Sequence, residues 1–370
     1  MNPDPLLPNH TDNIPSPAIV IDWPTVTENV RRMIAMAPRP DLLRPHLKTH
    51  KLPQVIRHLA ALGVTKAKCA TIAEAEMAAD AGAKDILVAS QPVGPGIARF
   101  LTLVRRFPHV SFATIADDEA TLHAISAAAT ATQLTARLFL DLDVGQHRTG
   151  IPPGPDAARL YHLIASLPSL TPGGLHAYDG HLHQTDLTER TAACHDSFAP
   201  VMELQRELTA AGLPVPAIVA GGSPTFPIHA QRGHVECSPG TCVLWDAGYA
   251  AKLPDLPFTP AASLLTRVIS RPTPGHLCLD LGHKALASEM PHPRAIFPAI
   301  PDASPIMHNE EHLVIATSLA SQFPVGSPIR AIPWHICPTI ALHSFVHALT
   351  SPHQPAEIWP VTARTRQISC

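Results

Sequence analysis

Short apolar runs rich in β-branched residues alternate along the chain with longer segments whose apolar positions recur at helical spacing. The runs are LLRPHL (42–47), KAKCATI (66–72), DILVAS (85–90), SFATIAD (111–117), ARLFLDLD (136–143), GLHAYDG (174–180), AIVAGGS (217–223) and HVECSPGT (234–241). Between them lie helix-like stretches such as PQVIRHLAALG (53–63), AEAEMAADAG (73–82) and RTAACHDSFAPVMELQRELTAAG (190–212). Gly63, Gly82 and Gly212 close these stretches where a helix C-cap belongs. Near-continuous apolar strands alternating with helices predict a parallel sheet covered by helices. Eight such units fit a (β/α)8 TIM barrel better than a doubly wound open sheet. The polar residues decide between the two. His46 and Lys48, Asp141 and Asp143, Tyr178 and Asp179, Gly221 and Gly222, and Gly240 and Thr241 all sit at C-terminal ends of runs. A barrel gathers those ends into one mouth, whereas an open sheet uses only the ends at its switch point.

After about residue 255 the pattern changes. ASLLTRVISRP, HLCLDLGHKAL, EEHLVIATS and IRAIPWHICPTIAL are strand-like and lack long intervening helices. They predict a second, mainly antiparallel β domain. The expected division is a barrel over 24–250 and a β domain made of 1–23 plus 251–370. An early strand, PAIVIDW (17–23), is compatible with either part.

Composition narrows the classes. Apolar residues make up 45% and charged residues 15% of the chain, a globular balance. The net charge of −3 gives no basic footprint for nucleic acid and no polybasic membrane anchor. The opening MNPDPLLPNH lacks the pattern of a signal peptide, and no apolar run reaches the ~20 residues of a spanning helix. Seven cysteines at scattered spacings, with no C-x-x-C, predict free thiols in a reducing compartment, so the expectation is a cytoplasmic protein. The 41 prolines fall mostly at segment edges, where they punctuate.

Three features carry chemistry. Lys48 stands at the end of the first run between His46 and His50; a nucleophilic lysine needs its pKa lowered, which a barrel mouth supplies. The bland alternative is a solvated loop lysine, the expectation for Lys51. The glycine motifs AGGSPTF (220–226) and CSPGT (237–241) close the seventh and eighth runs, the usual phosphate position of a barrel. A lysine facing a phosphate cradle suggests pyridoxal 5′-phosphate. That cofactor also needs an Asp or Arg at its pyridine nitrogen, and Asp141, Asp143 and Arg148 are available, with Tyr178 as a ring neighbour. Finally, His335 and Cys337 in PWHICPT stand two apart. In a strand they would share a face and converge on one ion, with zinc favoured by the thiolate.

RPHLKTHK, LDVGQHRTGI, AYDGHLH, AGGSPTF, SPGTCVLWDAGY and IPWHICPTIALH together resemble the D-threonine aldolase and D-serine dehydratase family, most closely its aldolase branch. These are fold-type III, alanine-racemase-like pyridoxal-phosphate enzymes. The resemblance runs from about residue 15 to the C-terminus. It implies a barrel with a C-terminal β domain and a homodimer acting on small D-amino acids. Lys48 then matches the Schiff-base lysine, Arg148 and Tyr178 the ring neighbours, and Gly221, Gly222, Ser223, Gly240 and Thr241 the phosphate loops. His335 and Cys337 match the pair for a divalent metal (zinc, manganese or magnesium). A catalytic histidine follows the tyrosine, and both His181 and His183 fit it. Aldolases of the family carry His-x-Asp at the metal pair and dehydratases His-x-Cys, so Cys337 leaves two reactions open. One is retro-aldol cleavage to glycine and an aldehyde; the other is β-elimination from D-serine or D-3-hydroxyaspartate to a 2-oxo acid and ammonia. A racemase needs a second tyrosine base, and a non-catalytic cofactor carrier needs no β domain; both are more distant.

Overall fold

The computed structural model describes residues 11–351 and 354–369. Residues 1–10, 352–353 and 370 lie outside the described residues. Two compact units emerge, one of residues 34–240 and 365–370 and one of residues 1–33 and 241–364.

In chain order the first elements are β1 (Ala18–Asp22) and α1 (Trp23–Met36). Seven parallel strands follow: β2 (Lys66–Cys69), β3 (Asp85–Val88), β4 (Ser111–Ala116), β5 (Ala136–Leu142), β6 (Leu170–Ala177), β7 (Ile218–Ala220) and β8 (Glu236–Cys237), paired in sequence order. Helices α2 (Pro53–Ala61), α3 (Ile72–Asp80), α4 (Pro95–Arg106), α5 (Glu119–Ala131), α6 (Pro155–Ser166), α7 (Leu187–Ala210) and α8 (Phe226–Ala230) alternate with them. The parallel α/β barrel expected from the pattern is therefore present.

The first run is not a regular strand. Residues 43–46 make isolated parallel bridges, Leu43 to Cys237 and His46 to Lys68, between flanking 3-10 turns. Arg44 N donates to Cys237 O at 2.8 Å, His46 N to Pro239 O at 2.9 Å, and Lys68 N to Pro45 O at 2.9 Å. The segment thus joins β8 to β2 and closes the sheet. Pro45 has no N–H and cannot extend the ladder.

Period-two alternation stacks the interior in layers. Near the strand starts, Arg44 reaches Glu236 at 2.7 Å and Asp85 at 3.0 Å, with Arg137 on Asp85 and Lys66 on Glu236. One layer up, Leu87, Ala113, Ile115, Phe139 and Val219 pack together, all buried. The same faces of β2, β5 and β6 then end in Lys68, Asp141 and His176, also buried.

The other unit holds α9 (Ala247–Lys252), β9 (Ala262–Ser270), β10 (His276–Leu279), β11 (Ala295–Ile296), β12 (Ser304–His308), β13 (Leu313–Ala316), β14 (Pro328–Pro333), α10 (Ile336–Ala341), β15 (Phe345–Leu349) and β16 (Glu357–Pro360). Its sheet runs β12-β13-β10-β9-β1-β15-β16, with β14 on β9 and β11 on β14. Among the described residues every strand pair in it is antiparallel except β1 with β15. The early strand 17–23 thus resolves as β1 of this sheet. Ile14, Ala18, Val20 and Leu265 form a core cluster there. Among the described residues no helix is long and apolar enough to cross a membrane.

Candidate active site

Lys48 lies on a single 3-10 turn, Leu47–Thr49, directly after the closing segment. His46 caps that turn, its Nδ1 accepting from Lys48 N at 3.3 Å. His50 does the same for the next element, accepting from Leu52 N at 3.0 Å. Both imidazoles are held neutral. Burial, then the Lys48 and Lys68 charges, pushes His46 well down; burial, then Lys51, brings His50 to about 3. The two histidines beside Lys48 are therefore backbone braces. Lys51 is not the solvated lysine expected of it. It is ion-paired with the fully buried Glu74.

Three cations surround one aromatic ring. Lys48 Nζ is 5.7 Å from the Tyr178 centroid, Lys68 Nζ 5.1 Å and Arg148 Cζ 5.1 Å. Each lies within cation–π range. Arg148 is otherwise exposed and Tyr178 half-buried. Asp143, one of the acidic candidates for a pyridine nitrogen, folds its own loop instead: it accepts from Gly145 N and His147 N at 3.0 Å each. Asp141 is hydrogen-bonded to His176, Oδ1 to Nδ1 at 2.6 Å.

The glycine turn after β7 touches the same ring. A side chain at Gly222 would begin 3.3 Å from Tyr178, and one at Gly240 would begin 3.2 Å from both His46 and Thr49. The backbone approaches closely because these residues have no Cβ. Gly221 N donates to Ala177 O at 3.3 Å, Gly222 N to Thr225 Oγ1 at 3.3 Å, and Gly240 N to Ser223 Oγ at 3.2 Å. These bonds are at the long end of the useful range, so an anionic oxygen competes well for such donors.

Behind the turn lies a buried cluster that the sequence reading missed. Asp179 accepts from Thr225 Oγ1 at 2.9 Å and pairs with His229 Nε2 at 2.8 Å; Cys194 Sγ stands 3.4 Å from His229 Nε2. Asp179, Cys194 and His229 bring three potential ligand atoms within 4.8 Å of one another. Burial, then Asp179, pushes the Cys194 thiol up to about 12, and the three side chains hydrogen-bond around His229. His181 lies against Gly145, with its Nδ1 buried and without a hydrogen-bond partner, while His183 is exposed.

In the β-rich unit the H-x-C pair is not on a strand. β14 stops at Pro333, His335 is the N-cap of α10 and Cys337 is in its first turn. Convergence comes from the helix start: the two side chains hydrogen-bond each other, His335 Nδ1 also meets Glu289 Oε1 at 2.6 Å, and Thr241 Oγ1 is 3.6 Å from Cys337 Sγ. Thr241, expected with the phosphate loops, thus hydrogen-bonds at this second cluster. Burial disfavours a charged His335, yet Cys337, Glu289 and Asp246 outweigh it and raise the imidazole to about 9. Imidazole, thiol and carboxylate are donor types that a divalent metal takes. Glu289, 46 positions before His335, carries no sequence signal that would have found it.

The alanine racemase N-terminal domain model matches residues 21–246, well over half of the chain. The chain belongs to that family. A serine dehydratase domain model matches residues 261–349. A D-threonine aldolase from Arthrobacter sp. is 29% identical over 357 residues, covering 95% of this chain and 93% of its own. A D-threo-3-hydroxyaspartate dehydratase from Delftia sp. (strain HT23) is 28% identical over 370 residues, covering 91% and 94%. Among solved structures, D-threonine aldolase from Filomicrobium marinum superposes with a TM-score of 0.88 at 28% identity, covering 95% of this chain and 96% of that one. Aldolases and dehydratases are both lyases, and the protein is an enzyme of that class. The family implies pyridoxal phosphate. The residues present fit it: one half-buried lysine on a braced turn, an aromatic ring ringed by cations, and a Cβ-free turn against that ring.

Proposed function

We infer that the protein is a pyridoxal-phosphate- and divalent-metal-dependent lyase for D-3-hydroxy amino acids, acting as a D-threonine aldolase. The gathering of Lys48, Arg148 and the glycine turn around Tyr178 carries this reading, and the 29% identity to an aldolase over most of the chain supports it.

When bound, the cofactor supplies an electron sink for the pair released at Cα, and the metal supplies Lewis-acid polarisation of the substrate hydroxyl. The protein does the rest. Lys48 is the covalent attachment point, presented by a turn that His46 holds rigid. Tyr178 would flank the cofactor ring. Arg148 and Lys68 would offset its negative charge, and Gly221, Gly222, Ser223 and Gly240 would hold the phosphate. His335 and Cys337, with Glu289 beside them, would hold the metal. His181 is the better placed of the two candidate bases, because its unpaired Nδ1 is buried while His183 faces water. The working form is a homodimer.

Cys337 supports a second reading, a dehydratase, because a thiolate at this position is what the family's dehydratases carry. One assay separates the two. Protein loaded with pyridoxal phosphate and manganese or zinc is given D-threonine or D-serine. Acetaldehyde with glycine supports the aldolase; pyruvate from D-serine supports the dehydratase; neither product overturns both. Lys48→Ala should abolish the yellow absorbance and all turnover. Chelation should remove turnover and leave the absorbance in place, and turnover that survives complete metal removal would sink the role given to His335 and Cys337.

A further inference from the structure

Lys68 is a second lysine in the same barrel mouth, and no part of the motif reading predicted it. It is the third residue of β2, bridged to the closing segment at His46. It is 1% exposed, and among the described residues no carboxylate pairs with it. Its polar side-chain partner is His176 Nε2 at 3.5 Å. His176 and Asp141 are direct neighbours in the β5–β6 ladder, and His176 Nδ1 lies 2.6 Å from Asp141 Oδ1. The other oxygen of Asp141 is buried without a hydrogen-bond partner. A cation buried with only a long contact to a ring nitrogen is an expensive arrangement, unlike the paired cations at the strand starts.

The charges around Lys68 make it switchable. Facing it are Arg44, His46 and Lys48 from the closing segment and its turn. Asp141 faces it from β5, Arg148 from the loop after β5, His176 from β6, and Tyr178 and Asp179 from the loop after β6. Burial, then Lys48, lowers Lys68 to about 7 against the pull of Asp179 and Asp141. Burial, with Lys68 and Arg148, also lowers His176 although Asp141 opposes it, so the ring is a neutral imidazole. With its Nδ1–H given to Asp141, the Nε2 lone pair faces Lys68.

We propose that Lys68, backed by His176 and Asp141, is a second acid–base lysine of the mouth, exchanging a proton with the anionic ligand held against Tyr178. The proposal rests on the reading that Lys48 binds a carbonyl cofactor there. The balance is simple. The Lys68 ammonium breaks one N–H bond as the ligand gains the proton, and the neutral amine left behind takes a proton back in the reverse step. His176 and Asp141 orient the amine and change no bond.

The test is an absorbance titration across the neutral range on protein loaded with pyridoxal phosphate. Borohydride reduction and peptide mapping first locate the cofactor. Wild type should carry the label on Lys48 and show a spectral transition with a midpoint near 7. Lys68→Met should remove that transition, because methionine has no proton to titrate. Lys68→Arg should remove the transition while cofactor affinity stays within about threefold, because arginine keeps the charge and does not deprotonate. His176→Asn, which leaves Lys68 in place, should shift the midpoint and gives the answer if neither Lys68 variant folds. A labelled Lys48 with an unmoved midpoint overturns this proposal alone. A wild type with no label on Lys48 overturns the cofactor reading, and this proposal with it.

Discussion

At the scale of single residues, the site is built from side chains that hold other groups still. Gly221 has φ +78°, and a Cβ there would start 2.8 Å from the His229 ring. The turn therefore needs glycine, and it is pinned from behind by the Thr225–Asp179–His229 cluster. Removing Asp179 should test that pinning. Asp179→Ala leaves a buried hydroxyl and a buried imidazole N–H without acceptors, a cost of about 2–4 kcal/mol by chemical denaturation. Pyridoxal phosphate should also bind about tenfold more weakly or worse, because the turn no longer has one conformation. Stability that falls while cofactor affinity is unchanged would show that the cluster supports the fold and not the turn. The glycines were legible in AGGSPTF, but the cluster behind them was not. Asp179 stood in view beside Tyr178, but Thr225 and His229 are 46 and 50 positions away, and only the β6–β7 pairing brings them together.

At the scale of elements, the alternating pattern found the barrel strands but ran past their ends. KAKCATI was expected to continue to residue 72, yet β2 stops at Cys69 because the Thr71 side chain accepts from Glu74 N and starts α3. HVECSPGT resolves to a strand of two residues, since Pro239 and the glycine turn leave no ladder to extend. Apolar character marks what is buried, while caps and prolines decide where an element stops. The H-x-C pair shows the same limit: period-two reasoning put both groups on one strand face, whereas a helix N-terminus brings them together. Within β6 the register shifts opposite Leu138 and Phe139, and Gly174 sits at that irregularity with φ +127°. A Cβ there would fall 1.8 Å from Ala217 O, the acceptor of Leu175 N at 3.0 Å. Gly174→Ala should thus cost about 3 kcal/mol or more in thermal or denaturant unfolding, through backbone strain and a broken β6–β7 bond. A variant with unchanged stability would show that this stretch of β6 relaxes freely.

At the scale of the barrel as a whole, two charged layers are separated by an apolar one. The layer at the strand starts is fully paired, with Arg44 between Glu236 and Asp85. The layer at the strand ends gives its carboxylate, Asp141, to His176 and leaves Lys68 with a ring nitrogen as its side-chain partner. The paired layer sets how the protein meets acid. Burial alone would raise Asp85, but the charge of Arg44 and hydrogen bonds from Arg44 and Arg137 hold it at about 2. An unfolded aspartate titrates near about 3.9, so the folded carboxyl is the stronger acid. Its contribution is complete above about pH 4 and drains away as pH falls from there toward 2, because the unfolded chain binds the proton first. The shift corresponds to roughly 2 kcal/mol. Asp85→Asn should therefore be less stable than wild type at neutral pH, where it leaves Arg44 and Arg137 short of a charge. The gap between the two proteins should narrow by about 2 kcal/mol between pH 4 and pH 2 when urea unfolding is followed at each pH. A gap that stays constant over that interval would mean Asp85 titrates as it does in the unfolded chain, and that the lower layer is held by packing and not by charge.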